Sequence, residues 1–225
     1  MTFLEMLERY RVECGVSGSA ITDVTAVTGE HLRLRNWLQA ALLDIQSEGG
    51  GLWEFLRAES SHTVPIGGSL LNIAEWAAGA VNKWKIDEFR ISAYGDGRAL
   101  SVPLQYVPYD QFRNGIGLSV TPAAKPLYFT VRRGDTAILV SPQADQVYTL
   151  YFDYWSVPVG VDDDADVPVL PAQYHMLPVY RAMIDYGYFE AAPEVLARAR
   201  ERHDEMMFKM KVGYLPGPTW GGPLA

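Results

Sequence analysis

The apolar positions change period twice along the 225-residue chain, and those changes set the expected organisation. Phe3, Leu7, Tyr10 and Cys14 recur at helical spacing and predict a helix over 3–14 that stops at Gly15. A Gly/Ser/Thr-rich connection, "GVSGSAITDVTAVTGE", follows, with Thr28 placed as an N-cap and Glu30 against the positive end of the next helix. Leu34, Trp37, Leu38, Ala41, Leu42 and Ile45 then follow i, i+3, i+4, i+7, i+8, i+11, a strong amphipathic helix. "EGGG" at 48–51 ends it, and "LWEFLRA" adds a short aromatic helical turn.

Between about residue 60 and residue 158 the period becomes that of strands. "VNKWKIDEFRIS" alternates Trp84, Ile86 and then Phe89, Ile91, and the slip between the pairs predicts a bulge. "YGDGRALSVPLQYV" reads as a Gly-punctuated turn leading into a strand with Leu100, Val102 and Leu104. "PLYFTVRRGDTAILVS" gives two strands around an Arg-Gly-Asp turn, "DQVYTLYFDYWSVP" one long aromatic strand, and "PYDQFRNG" a helical turn. After "VDDDADVPVLPAQYH" the helical period returns, with Met176, Tyr180, Met183 and Ile184 on one face. Pro193 opens a last helix whose apolar positions are Leu196, Ala199, His203, Met206 and Met210. Its other face offers the i,i+4 pairs Glu194/Arg198, Arg200/Asp204 and Glu205/Lys209. "GYLPGPTWGGPLA" has no period and is too rich in Gly and Pro to fold alone.

The plan is therefore α+β: a helical bundle built from 1–58 and 161–212, an antiparallel β domain inserted at 59–160, and an extended arm at 213–225. The expected bundle core is Leu34, Trp37, Leu38, Leu42, Ile45, Tyr180, Met183, Leu196 and Met206. No internal repeat is present.

Charge narrows the function. A net charge of −8 without a basic stripe speaks against sequence-directed nucleic-acid binding. The N-terminal stretch is amphipathic with early acids, so neither a signal peptide nor a membrane span is expected, and the chain reads as a cytosol-made, soluble protein. The single cysteine, Cys14, forbids an internal disulfide and reads as a small core residue.

Catalytic signatures are approached and missed. "GDGRAL" lacks the third glycine of a dinucleotide loop and leads into a strand, so it reads as a hairpin turn. "GVSGS" has Ser19 where a nucleophile elbow needs glycine, and it follows a helix. His31, His62, His175 and His203 lie in separate elements with no metal-ligand spacing. Asp162, Asp164 and Asp166 match the first ligand positions of a calcium loop, but Val167 and Gln173 stand where glycine and glutamate are required. The aspartates read instead as a charged linker, with Pro168 and Pro171 directing the chain into the C-terminal helices. No enzyme, cofactor or metal site is expected.

The stretches "RVECGVSGS", "TGEHLRLRNWLQAALLDIQ", "LWEFL" and "VPVLPAQYHMLPVYRAMIDYG" together resemble the head-to-tail adaptor (connector) proteins of tailed bacteriophages, best over 28–57 and 167–190. "SEGGG" stands where that family more often has a polar loop with proline or aspartate. The resemblance implies a structural virion protein of the head-tail neck. It implies a ring, a dodecamer, bound under the portal protein, extending the DNA channel and offering a docking platform to a tail or nozzle protein. Packaged DNA would pass without specific binding. The C-terminal arm supplies the expected portal contacts: Tyr214, Leu215, Pro216, Trp220 and Leu224. A second reading rests on the aromatics of "YTLYFDYWS": a ligand- or carbohydrate-binding β module with helical flanks.

Overall fold

The computed structural model describes residues 1–72, 81–118, 121–132 and 137–216. They comprise helices α1 (Phe3–Glu13), α2 (Gly29–Ser47), α3 (Tyr109–Asn114), α4 (Leu177–Phe189) and α5 (Pro193–Tyr214). The strands are β1 (Arg57–Val64), β2 (Leu70–Asn72), β3 (Val81–Ala93), β4 (Val102–Pro103), β5 (Gln105–Tyr106), β6 (Tyr128–Val131), β7 (Ala137–Ser141) and β8 (Tyr148–Ser156). The architecture is α+β, and the chain forms two compact units: 1–56 with 158–225, and 57–157.

In the helical unit α1 is fixed at its start by a reciprocal cap. Thr2 Oγ1 accepts from the Glu5 amide at 3.2 Å, and Glu5 Oε2 accepts from the Thr2 amide at 2.9 Å. Helix α2 starts after Thr28 as expected, although the Thr28 side chain makes no capping bond. Glycines 49, 50 and 51 all take positive φ, which ends α2 in a tight turn that residues with a Cβ would resist. Gly49 serves a second purpose: a Cβ there would lie 2.9 Å from Leu215 Cδ2. After the turn Trp53 is fully buried and its indole N–H donates to the Ile45 carbonyl at 2.9 Å.

Tertiary hydrogen bonds join the two ends of the chain. The buried Tyr10 hydroxyl donates to the Ala182 carbonyl at 2.8 Å. Gln46, itself buried, pairs both its amide groups with the Val159 backbone, at 2.9 and 3.0 Å. Leu34, Leu38, Leu42, Ile45 and Met183 are fully buried, while Trp37, Tyr180, Leu196 and Met206 are half-buried at the margins of the bundle. The buried face of α4 is centred on Leu177, Val179, Ala182 and Met183, a step away from the face its periodicity suggested. Helix α4 touches α1, α2 and α5, so its apolar stripe is wide. Gly187 allows the closest approach in the α4–α5 hairpin, since a Cβ there would meet Leu196 Cβ at 3.0 Å.

The described residues of the β unit form two four-stranded sheets, ordered β1-β8-β3-β4 and β2-β7-β6-β5. The expected slip in β3 is real: its register against β8 shifts between Lys85 and Arg90. The unit is not wholly antiparallel, because β5 and β6 pair in parallel, Gln105 with Tyr128. Leu100 lies in a 3-10 turn and is exposed rather than extending a strand, and Ile86 is exposed beside the bulge. The Arg-Gly-Asp turn falls on residues outside those described. The core is aromatic: Phe89 stacks on Phe129 with centroids 4.0 Å apart and on Phe152 at 5.7 Å, and Trp84 meets Phe152 edge-on at 5.6 Å.

Candidate assembly surfaces

The aspartate segment is built into the helical unit. Asp166 Oδ2 accepts the amides of Asp162 and Asp163, both at 2.9 Å, closing a small carboxylate-capped turn. Those two amides hold the Asp166 carboxyl below its ordinary pKa. Asp164 Oδ1 accepts the Val24 amide at 2.7 Å, and the Asp166 carbonyl accepts the Phe3 amide at 2.8 Å. Gln39 reaches the Val161 carbonyl and Asp162 Oδ1, both at 2.8 Å. The segment is thus a structural clasp on α1, α2 and the 15–28 connection, rather than the solvated linker its composition suggested. The Asp162, Asp164 and Asp166 carboxylates bond to separate partners and do not converge on one point.

His175 continues the clasp. It is buried, its Nε2 bonds the Leu170 carbonyl at 2.8 Å, and its Nδ1 accepts from the Met1 amino group at 2.7 Å. That pairing places the ring proton on Nε2. His203 lies half-buried on α5, 2.9 Å from Asp204. Among the described residues no group of three or more His, Cys, Asp or Glu side chains is placed to hold a metal ion, and no helix is long and apolar enough to cross a membrane. Cys14 is buried, and burial pushes its thiol up to about 12.

The α4–α5 turn and the outer face of α5 are among the places where the helical unit exposes large apolar groups. At the turn between α4 and α5, Tyr188 and Phe189 are 60% and 55% exposed. Phe189 packs edge-on against Trp37 at 5.6 Å, and the Arg33 guanidinium lies 4.2 Å from the Phe189 ring centre. Arg200 donates to the Tyr188 hydroxyl and lies 5.2 Å from that ring. On α5, Phe208 and Val212 stand one turn apart and face solvent. The charged face of α5 is also wired differently from its spacing. Glu205 pairs with Lys209 at 2.6 Å as expected, but Arg198 pairs with Glu13 of α1 at 3.1 Å and Arg200 turns to Tyr188.

The first residues of the expected arm belong to the bundle. Helix α5 runs to Tyr214, two residues further than the pattern indicated. Tyr214 packs against Phe55 at 6.0 Å and Tyr174 at 5.8 Å, and Leu215 sits against Gly49. Pro216 is exposed and follows directly, while Trp220 and Leu224 lie outside the described residues.

In the β unit the aromatic strand is occupied by packing. Tyr148, Leu150 and Phe152 are buried in the core, so they form no open sugar platform. Asp153 is fully buried between Arg57, whose Nε donates at 3.1 Å, and Arg98, whose Nη2 donates at 3.2 Å. This paired carboxylate was invisible in the sequence, because nothing local marks Asp153 as buried or brings Arg57 and Arg98 beside it.

The sequence model of one family, described as SU10 adaptor protein, matches residues 1–214. None of the curated proteins matches the chain.

Proposed function

The chain belongs to the SU10 adaptor protein family, a family of phage head-to-tail adaptors, and on that premise we propose that it forms a ring beneath the portal of a tailed bacteriophage. In this reading it is a structural, non-catalytic protein of the virion neck, made in the host cytoplasm. The ring, of twelve copies, extends the DNA channel and presents the surface on which a tail or nozzle protein docks. The observation that carries the reading is the family match, which takes in both compact units rather than one. The exposed aromatic groups at the α4–α5 turn and on α5 supply the kind of anchors that protein contacts use. A net charge of −8 suits a conduit whose wall must not hold phosphate.

Residues 213–225 are proposed as the contact to the portal. Since Tyr214 and Leu215 are packed in the bundle, the clean test removes only 217–225. Portal-bearing heads made without this protein should take up the full-length chain and regain tail attachment. The shortened chain should fold with an unchanged helical signal yet fail to bind the heads. Uptake of the shortened chain at full occupancy would transfer the portal contact to the helices, and no uptake of the full-length chain would overturn the adaptor reading.

A further inference from the structure

The helical unit carries two unlike surface patches on opposite flanks of α2. At 3.6 residues per turn, Arg33 and Trp37 lie roughly 200° around the helix from Arg35 and Gln39. The first flank meets Phe189 and, with Tyr188 and Arg200, makes an aromatic and cationic patch. The second flank holds the aspartate segment, through Gln39 and Arg35.

Charge pairing makes the first patch unusual. Among the described residues of this unit, Arg9, Arg11, Arg35, Arg181, Arg198, Arg202, Lys209 and Lys211 each have a carboxylate partner. Arg33 and Arg200 have none and lie over exposed rings instead. The second patch is the complement. The Asp162 side chain is 81% exposed, and Asp163 is exposed without a side-chain partner among the described residues. The extended stretch that follows alternates, burying Pro168 and Leu170 while turning Val167 and Val169 to solvent. One patch thus offers two cations and two rings, and the other two carboxylates and two apolar side chains.

We propose that these patches join neighbouring copies of this chain: Arg33, Trp37, Tyr188, Phe189 and Arg200 of one copy seat on Asp162, Asp163, Val167 and Val169 of the next. The inference rests on the ring reading above and specifies its contact. A ring needs a head-to-tail interface between two different surfaces, and two complementary flanks of one helix of the helical unit supply two such surfaces. Apolar contact between the rings and valines gives the burial, and the opposite charges set the register and exclude like-with-like pairing.

The test is charge reversal in the full-length chain, Arg33→Glu, Asp163→Lys and both together, with assembly followed by native mass measurement alone and on portal-bearing heads. Each single reversal should weaken multimer formation by at least about tenfold, and the double variant should recover most of that loss. As a second readout, Val167→Cys with Phe189→Cys, joined by a short bis-maleimide, should give a ladder extending beyond dimers, with neither single variant linking. Cys14 is buried and can stay. Wild-type assembly by both single reversals overturns the proposal, as does dimer formation by either single-cysteine variant. Intact multimers that lose only head attachment also overturn it, by assigning the patch to the portal. A wild-type chain that is monomeric in both settings overturns the ring reading itself.

Discussion

The bond from Tyr10 to Ala182 spans 172 positions of sequence and gives a direct measure of how firmly the chain's two ends are joined. Tyr10 is fully buried, meets Tyr186 edge-on at 6.5 Å, and burial raises its hydroxyl pKa above the ordinary tyrosine value, so it acts as a neutral donor. Tyr10→Phe removes that donor and keeps the ring. The Ala182 carbonyl lies inside α4 and retains its helical partner, so the loss should be about 0.5–1.5 kcal/mol. Tyr10→Ala also removes the ring from between α1 and α4, and large-to-small changes at such sites cost about 3–5 kcal/mol. At about 2–4 °C per kcal/mol for a chain of this size, the two variants should melt about 1–6 °C and about 6–20 °C below wild type. Urea unfolding followed at 222 nm, where the helical unit dominates, separates them through the midpoint. Equal losses in the two variants, or an alanine variant within about 1 kcal/mol of wild type, would refute the joined-ends packing.

Acid should loosen the helical unit in a defined window. The Arg11 guanidinium holds Glu8 at about 2, and backbone amides hold Asp166 below its ordinary value, so both stabilise the fold above the unfolded carboxylate range, and that contribution is lost as pH falls from about 4.5 toward 2. Glu8→Gln should lower stability at pH 7 and flatten its acid dependence; an unchanged slope would count against the pairing. Proteolytic cuts within 57–157 should leave 1–56 and 158–216 associated on a sizing column, and free separation of the two pieces would contradict the shared helical unit. Calcium should leave the melting temperature where chelator leaves it, because the Asp162, Asp164 and Asp166 carboxylates are spent on separate amide and side-chain donors; a rise of several degrees, abolished by Asp164→Ala, would show a bound ion.

Period and punctuation revealed much of this fold. The spacing from Leu34 to Ile45, the glycines at 49–51, Pro193 and the slip in β3 all act locally, so they could be read from the chain. What escaped depends on residues far apart in sequence. The aspartates look like a linker because their partners, the amides of Phe3 and Val24 and the Gln39 side chain, lie more than a hundred positions away. Helix α4 misled by one step because three helices pack on it. Arg198 and Arg200 found Glu13 and Tyr188 instead of their i±4 neighbours, since a weak exposed i,i+4 pair yields readily to a tertiary contact. The aromatic anchors Tyr188 and Phe189 went unnoticed because an apolar residue at a helix end gives no sign of whether it will be covered.

The central claim is a ring of this chain under the portal. It is tested most directly by the native mass of the neck complex released from purified virions. The released complex should carry twelve copies of the 25.1 kDa chain together with the portal protein. A complex with a single copy per portal ring, or virion necks that lack the chain, would contradict it.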